Sequence, residues 1–262
     1  MTKKVRFTMY NYPIERTAIV TGAASARGIG RDLARRLLKA GWHVGAVDLD
    51  ATDTSDITID IDDAALRLST ARADISKEED VEEAARHFER NLPPVLAVVN
   101  VAGISDPTPF LQTSLDRWER VLRVNLTGTF LMTRRFVPGM IERGVGRIVS
   151  LSSTAAQSGG GTYSAAAYGA SKAGIEGMTR ALAIEIASTG VTANAIAPAI
   201  IDTDIMGGRI DEERLPYFTS RLPVGRLGRV DEVSALIEFL IGPDAGYITG
   251  ATYNINGGAR IG

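Results

Sequence analysis

The chain has 262 residues, 45% of them hydrophobic and 23% charged, and its 29 basic and 31 acidic residues leave a formal charge of −2. That length suits one large domain or two small ones, and the charge balance excludes a broad basic field for nucleic acid. With no cysteine and only His43 and His87, a disulfide framework, a thiolate metal site, a cysteine nucleophile and a histidine-rich metal site are not expected.

Residues 1–16 read as a short arm, basic at its start and without the apolar core of a signal peptide. Thr17–Thr21 is a short β-branched run, hence a buried strand. A loop of small residues from Gly22 to Gly30 leads into a helix with Leu33, Leu37 and Ala40 on one face and Gly41 as its stop. His43–Asp48 is the next strand. This is a β-α-β unit of mononucleotide-binding size. Asp50 to Ala65 is acidic and ragged, Arg67–Ala73 a strand and Lys77–Arg90 a charged helix. Val95–Val99 is continuously apolar, as a strand of a doubly covered parallel sheet must be. Leu115–Val124 and Leu126–Arg143 read as two helices, Arg147–Leu151 as a strand and Tyr168–Ala187 as a long helix. Val191–Ile196 is a strand, Asp231–Leu240 a helix and Thr252–Ile255 a last strand. No linker or repeat divides the chain. The expectation is one α/β domain over 17–262, a doubly wound parallel sheet of Rossmann type, with a substrate lid at about 200–229.

Three features carry chemistry. Gly22, Gly28 and Gly30 lie between a strand and a helix N-terminus, where bare backbone N–H groups approach a phosphate closely. Asp48, at the tip of the next strand, can accept hydrogen bonds from both ribose hydroxyls and repel a 2′-phosphate, which favours NAD(H) over NADP(H). Arg27 is the contrary signal, since a guanidinium there could hold that phosphate. Tyr168 and Lys172 are one helical turn apart, with Cβ atoms about 5–6 Å from each other. An ammonium at that spacing favours the phenolate and lowers a tyrosine pKa from its reference of about 10.

Together these features resemble a short-chain dehydrogenase/reductase over nearly the whole chain. Thr21 to Gly30 resembles the family's phosphate loop, Ala73-Asp74-Ile75 its adenine-contacting turn and Asn100-Val-Ala-Gly103 its Asn-Asn-Ala-Gly strand end. Asn125, Ser153, Tyr168 and Lys172 resemble its active-site set, and Pro198 to Thr203 its segment beside the nicotinamide. The resemblance implies cofactor contacts from Gly22, Ser25, Arg27, Gly28, Ile29, Gly30, Asp48, Leu49, Asp74, Ile75, Asn100, Ala102, Gly103, Tyr168, Lys172, Pro198, Ile201 and Thr203. It implies that Ser153 bonds the substrate oxygen, that Tyr168 moves the proton, that Lys172 tunes Tyr168 and holds ribose, and that Asn125 interrupts its helix. It needs no metal. The sequence departs from the family pattern in a phosphate loop two residues longer than usual, in a longer Ser153–Tyr168 spacing with Ser152 as the alternative serine, and in Ala199 where glycine is common.

Ser153, Tyr168, Gln157, Tyr163, Ile205 and Met206 are the expected substrate contacts, with Ile104 and Phe110 nearby. Most are neutral, so a neutral ketone or secondary alcohol is expected; Arg209, Arg214 and Arg221 would overturn that if they faced the pocket. A sugar or polyol dehydrogenase is the rival if Gln157, Ser158 and Asp202 line it, and a dinucleotide sensor without turnover is the reading from another class. The resemblance further implies a homotetramer, while the charge balance, the lack of an apolar run near 18 residues and the absence of cysteine lead to the expectation of a cytoplasmic protein with no nucleic-acid or membrane partner.

Overall fold

A computed structural model describes residues 12–50, 55–160, 163–205 and 207–261. Its seven strands are β1 (Thr17–Thr21), β2 (His43–Asp48), β3 (Leu68–Arg72), β4 (Val95–Asn100), β5 (Gly146–Leu151), β6 (Val191–Pro198) and β7 (Thr252–Ile255). They form one parallel sheet in the order β3-β2-β1-β4-β5-β6-β7. Successive strands step outward one way from β1 and the other way from β4. The sheet therefore opens a crevice beyond the C-terminal ends of β1 and β4, where ligands of such sheets bind.

The helices are α1 (Ile29–Lys39), α2 (Ala64–Arg67), α3 (Glu78–Asn91), α4 (Leu115–Leu122), α5 (Gly128–Arg143), α6 (Ala155–Ser158), α7 (Ala166–Ile186), α8 (Leu215–Thr219) and α9 (Val230–Ile241). Strands β1, β4, β5 and β6 are buried along their whole length because helices cover both faces. On one face Leu33, Leu37 and Leu38 of α1 meet Val233, Ile237 and Leu240 of α9. On the other, Phe88 of α3 packs with Met132, Phe136 and Met140 of α5 and Ile186 of α7. Each face is thus an apolar helical stripe against β-branched strands.

Most elements lie where the pattern places them, and the single-domain doubly wound sheet is observed. The ragged 50–65 segment contains a 3₁₀ turn at Ser55–Thr58 and leads into the short α2. The two helices expected around Asn125 are one continuous rod. Arg123–Thr127 forms a π-turn that joins α4 to α5 without a break. The reason is local: the Asn125 side chain binds outward to another loop, so the helix widens by one residue instead of ending.

Residues 1–11 of the expected arm lie outside the described residues. Tyr12 docks at the opposite end of the sheet from the crevice. Its ring meets Trp42 edge-on, its hydroxyl donates to the Ile241 carbonyl, and Arg147 lies over its face. The expected lid, 200–229, is zipped at its base: Gly228 N donates to Ile200 O at 3.0 Å and Asp202 N to Gly228 O at 2.9 Å.

Candidate active site

A cleft of about 1030 Å³ lies at the crevice and is bounded by loops from both halves of the sheet. On the β1 side, Gly22 has φ +75, and a Cβ there would sit 2.9 Å from Ala102 Cα. A Cβ on Gly30 would come 2.3 Å from Gly22 O. The loop is therefore folded against its own backbone and against the residues after β4, leaving a cradle at the start of α1 in which Gly22 and Gly28 present bare backbone. Such a cradle fits a diphosphate, so the residues present suit a dinucleotide. Gly22, Ser25, Gly28, Ile29, Ala102 and Gly103 line it, while Gly30 supports it from beneath.

Thr21, the first residue of the loop that resembles the family's phosphate loop, has a tying role that its place in the motif does not reveal. Its hydroxyl accepts from Val101 N and Ala102 N, both at 3.0 Å, and ties the ends of β1 and β4 together across the switch point. Asn100 is not at the cleft surface. It is buried beneath it, donating to Thr133 Oγ1 at 3.0 Å and Ser150 Oγ at 3.1 Å, because the last residue of a covered strand points into the adjacent layer.

Asp48 lines the cleft at the tip of β2, with Leu49 beside it. Its carboxylate accepts from Ala24 N at 2.8 Å and Leu49 N at 2.7 Å, which fixes its orientation. Asp74 accepts from Ser76 N and Ser76 Oγ, and Ile75 packs where Gly128 leaves room. All of them line the same end of the cleft. Arg27 does not. Its guanidinium binds Asp202, and Asp204 at 3.0 Å, in the segment after β6, and Ser25 Oγ donates to Asp204 at 3.3 Å. The lengthened loop turns at Ser25–Gly28 and projects Arg27 toward these acids.

On the β5 side, α7 presents Tyr168 and Lys172 one turn apart, both buried and both lining the cleft. Ser153 lines the cleft beside Tyr168, its Oγ accepting from Ala155 N at 3.1 Å, and its hydroxyl acts to lower the Tyr168 pKa. The Ser152 hydroxyl is engaged away from the phenol, donating to Lys172 O at 3.0 Å and Glu176 Oε1 at 2.9 Å, which leaves Ser153 as the serine beside Tyr168. Gln157 is likewise turned away, donating to Glu176 at 3.0 Å. Glu176 thus anchors both flanks of Ser153. Its spacing of one helical turn from Lys172 is the signal that could have found it.

Asn125 is fully buried behind Lys172 rather than at the cleft surface. Its amide group accepts from Ile104 N at 2.8 Å and donates to Ile104 O and Ser171 Oγ, each at 3.0 Å. Gly103 separates it from Lys172: a Cβ there would lie 3.1 Å from Asn125 Oδ1 and 3.4 Å from Lys172 Nζ.

The electrostatics correct one expectation. Burial holds the Tyr168 phenol above its ordinary pKa, with the Ser153 hydroxyl pulling the other way. Burial also pushes the Lys172 ammonium down to about 8. Lys172 Nζ donates to Leu151 O at 2.7 Å and lies 5.7 Å from the Tyr168 ring centre, so desolvation of both groups outweighs their attraction in the chain by itself.

Pro198, Ile201, Thr203 and Ile205 close the cleft from the segment after β6. Tyr163 lines the far wall, its hydroxyl accepting from Arg214 Nη1 at 2.6 Å. Met206 lies outside the described residues. Phe110 is exposed and off the cleft wall. Of the three residues that would favour a polyol site, Ser158 lines the cleft, its Oγ donating to Thr154 O, whereas Asp202 and Gln157 are off the wall, engaged by Arg27 and Glu176. Among the described residues, no cluster of His, Asp and Glu suits a metal ion, and no helix is long and apolar enough to cross a membrane.

The family model described as enoyl-(acyl carrier protein) reductase matches residues 22–260. The chain belongs to the short-chain dehydrogenase/reductase family. A 2-dehydro-3-deoxy-L-rhamnonate dehydrogenase (NAD(+)) of a Sphingomonas species is 36% identical over 93% of this chain and 94% of its own. An acetoacetyl-CoA reductase of Shinella zoogloeoides is 37% identical over 94% and 98%. A crystal structure described as a short-chain dehydrogenase/reductase, glucose/ribitol dehydrogenase, from Brucella melitensis superposes with TM-score 0.84 at 31% identity, covering 94% of this chain and 97% of that one. This short-chain dehydrogenase/reductase is thus an oxidoreductase of a dinucleotide-binding family, and its similar relatives are dehydrogenases and reductases.

Proposed function

We propose that the chain interconverts a secondary alcohol and a ketone with NAD(H). The observation that carries this reading is the meeting of two hydroxyls, Ser153 and Tyr168, in one cleft with the Lys172 ammonium a turn behind them. When bound, the nicotinamide supplies or accepts the hydride. In reduction, Ser153 donates a hydrogen bond to the carbonyl oxygen and Tyr168 delivers the proton to it. In oxidation the phenolate takes that proton back. A buried ammonium near the ring favours the phenolate more strongly as water leaves the cleft, because the attraction grows as the local dielectric falls.

The preference for NAD(H) rests on the fixed Asp48 carboxylate. The contrary signal is weakened, because Arg27 is already neutralised by Asp202 and Asp204. A homotetramer belongs to the same reading, supported by exposed Phe130 and Ile141 on α5 and Ile184 on α7. The test is a panel of alcohols and ketones, each followed by nicotinamide absorbance with both dinucleotides. Turnover with NAD(H) is expected. Tight dinucleotide binding with silence across the panel would favour a sensor.

A further inference from the structure

The wall opposite the phosphate loop carries a chain of rings. Tyr163 and Phe218 have centroids 5.6 Å apart, Phe218 meets Tyr217 edge-on at 5.2 Å, and the Arg221 guanidinium lies 3.8 Å over the Tyr217 ring. Tyr163, Phe218 and Arg221 line the same cleft as Ser153 and Tyr168. Stacking engages the face of a guanidinium and leaves the N–H fork in its plane for a ligand.

The charges on this wall are unevenly matched. Arg27 meets Asp202 and Asp204, and Arg214 meets Asp211 and the Tyr163 hydroxyl. Arg221 has no ion-pair partner among the described residues. The acids that line the cleft are committed or elsewhere: Asp204 to Arg27, Asp48 to two backbone N–H groups, Asp74 to Ser76, and Asp116 and Glu119 on α4. Arg120 also lines the cleft without an ion pair among the described residues, but it lies on α4 one turn before Val124, in the helix whose continuation meets Ile75 at Gly128.

We propose that Arg221 binds an anionic group on the substrate, a carboxylate or a phosphate, while the reacting carbon faces Ser153 and Tyr168. The substrate class becomes an oxo or hydroxy compound carrying an anion, in place of the neutral one expected from the lining residues. The proposal rests on the alcohol/ketone reading of this cleft. Two sources share the chemistry, a small oxo acid and the phosphates of a coenzyme A thioester.

Matched pairs separate them: acetoacetate against acetoacetamide, and acetoacetyl-CoA against S-acetoacetyl-N-acetylcysteamine. kcat and KM are measured for the wild type, Arg221→Met and Arg221→Lys. The wild type is expected to prefer the anionic member of one pair by about tenfold or more in kcat/KM. Arg221→Met should collapse that ratio toward one, mainly through KM, and Arg221→Lys should restore part of it. The pair that shows the ratio names the source. Equal rates within both pairs, or a ratio that survives Arg221→Met, overturns the proposal and leaves the oxidoreductase reading intact. If none of the four compounds turns over, calorimetric titration of the same compounds into the protein–NAD complex decides. Binding of an anionic member that Arg221→Met abolishes supports the anion site and leaves the redox reading to the alcohol and ketone panel, and absence of such binding overturns the proposal.

Discussion

Arg27 on the phosphate loop and Asp204 beyond β6 meet at 3.0 Å, joining the two walls of the cleft that flank the glycine cradle. The pair is partly exposed, so its contribution is modest and falls with salt. Arg27→Ala frees two acids beside the phosphate cradle as well as opening this link. Dinucleotide binding, followed by fluorescence titration, should weaken by about two- to fivefold at low salt. An unchanged Kd would show that the link does not help to hold the dinucleotide.

Tyr168→Phe removes the proton donor and keeps the ring that packs with Ala155 and Ala167. Dinucleotide affinity should be retained, and kcat should fall by about a hundredfold or more. Turnover at the wild-type rate would sink the assigned proton transfer.

At Asp48 the change is electrostatic. Asp48→Asn keeps an oxygen acceptor for Ala24 N or Leu49 N and removes the charge that would face a 2′-phosphate. The ratio of kcat/KM for NADP to that for NAD should rise by about tenfold. A ratio that does not move places cofactor choice elsewhere.

Lys172 titrates at about 8 in the folded chain against 10.5 in the unfolded one. Between those values the unfolded state holds a proton that the folded state has shed, so stability rises with pH across that window. Tyr168 acts in the opposite sense above pH 10.0, where the unfolded phenol ionises and the buried one does not. Urea unfolding of the dinucleotide-free chain should therefore show a gain on the order of 2 kcal/mol between pH 8 and 10. Lys172→Met should lack it. A gain that persists in the variant assigns the titration to another group.

The parallel sheet was legible because its strands are buried on both faces and read as unbroken apolar runs, as in Val95–Val99. Tyr168 and Lys172 were legible because helical spacing puts them on one face and because Asn125 and Ser153 precede them in the order of the family they resemble. Arg27 was not, since its partners Asp202 and Asp204 are far along the chain and only the fold brings them together. Nor was the π-turn, because the residues of Arg123–Thr127 fit an α-helix equally well and the widening depends on where the Asn125 side chain finds its partners. The depressed Lys172 titration also escaped, because spacing reveals a neighbouring charge but not how completely both groups are dried.

A single residue separates the turn at Arg123–Thr127 from an ordinary helical one. Deleting one position there would leave an ordinary α-helix with α5 close to its present phase, because a π-turn is an α-helix that has taken in one extra residue. What would be lost is the widened turn from which the Asn125 amide reaches Ile104 and Ser171. The extra residue therefore serves the Asn125 contacts rather than the seating of α5 on the sheet. An insertion or deletion in the regular turns on either side would act differently, since it would rotate all that follows by about 100°.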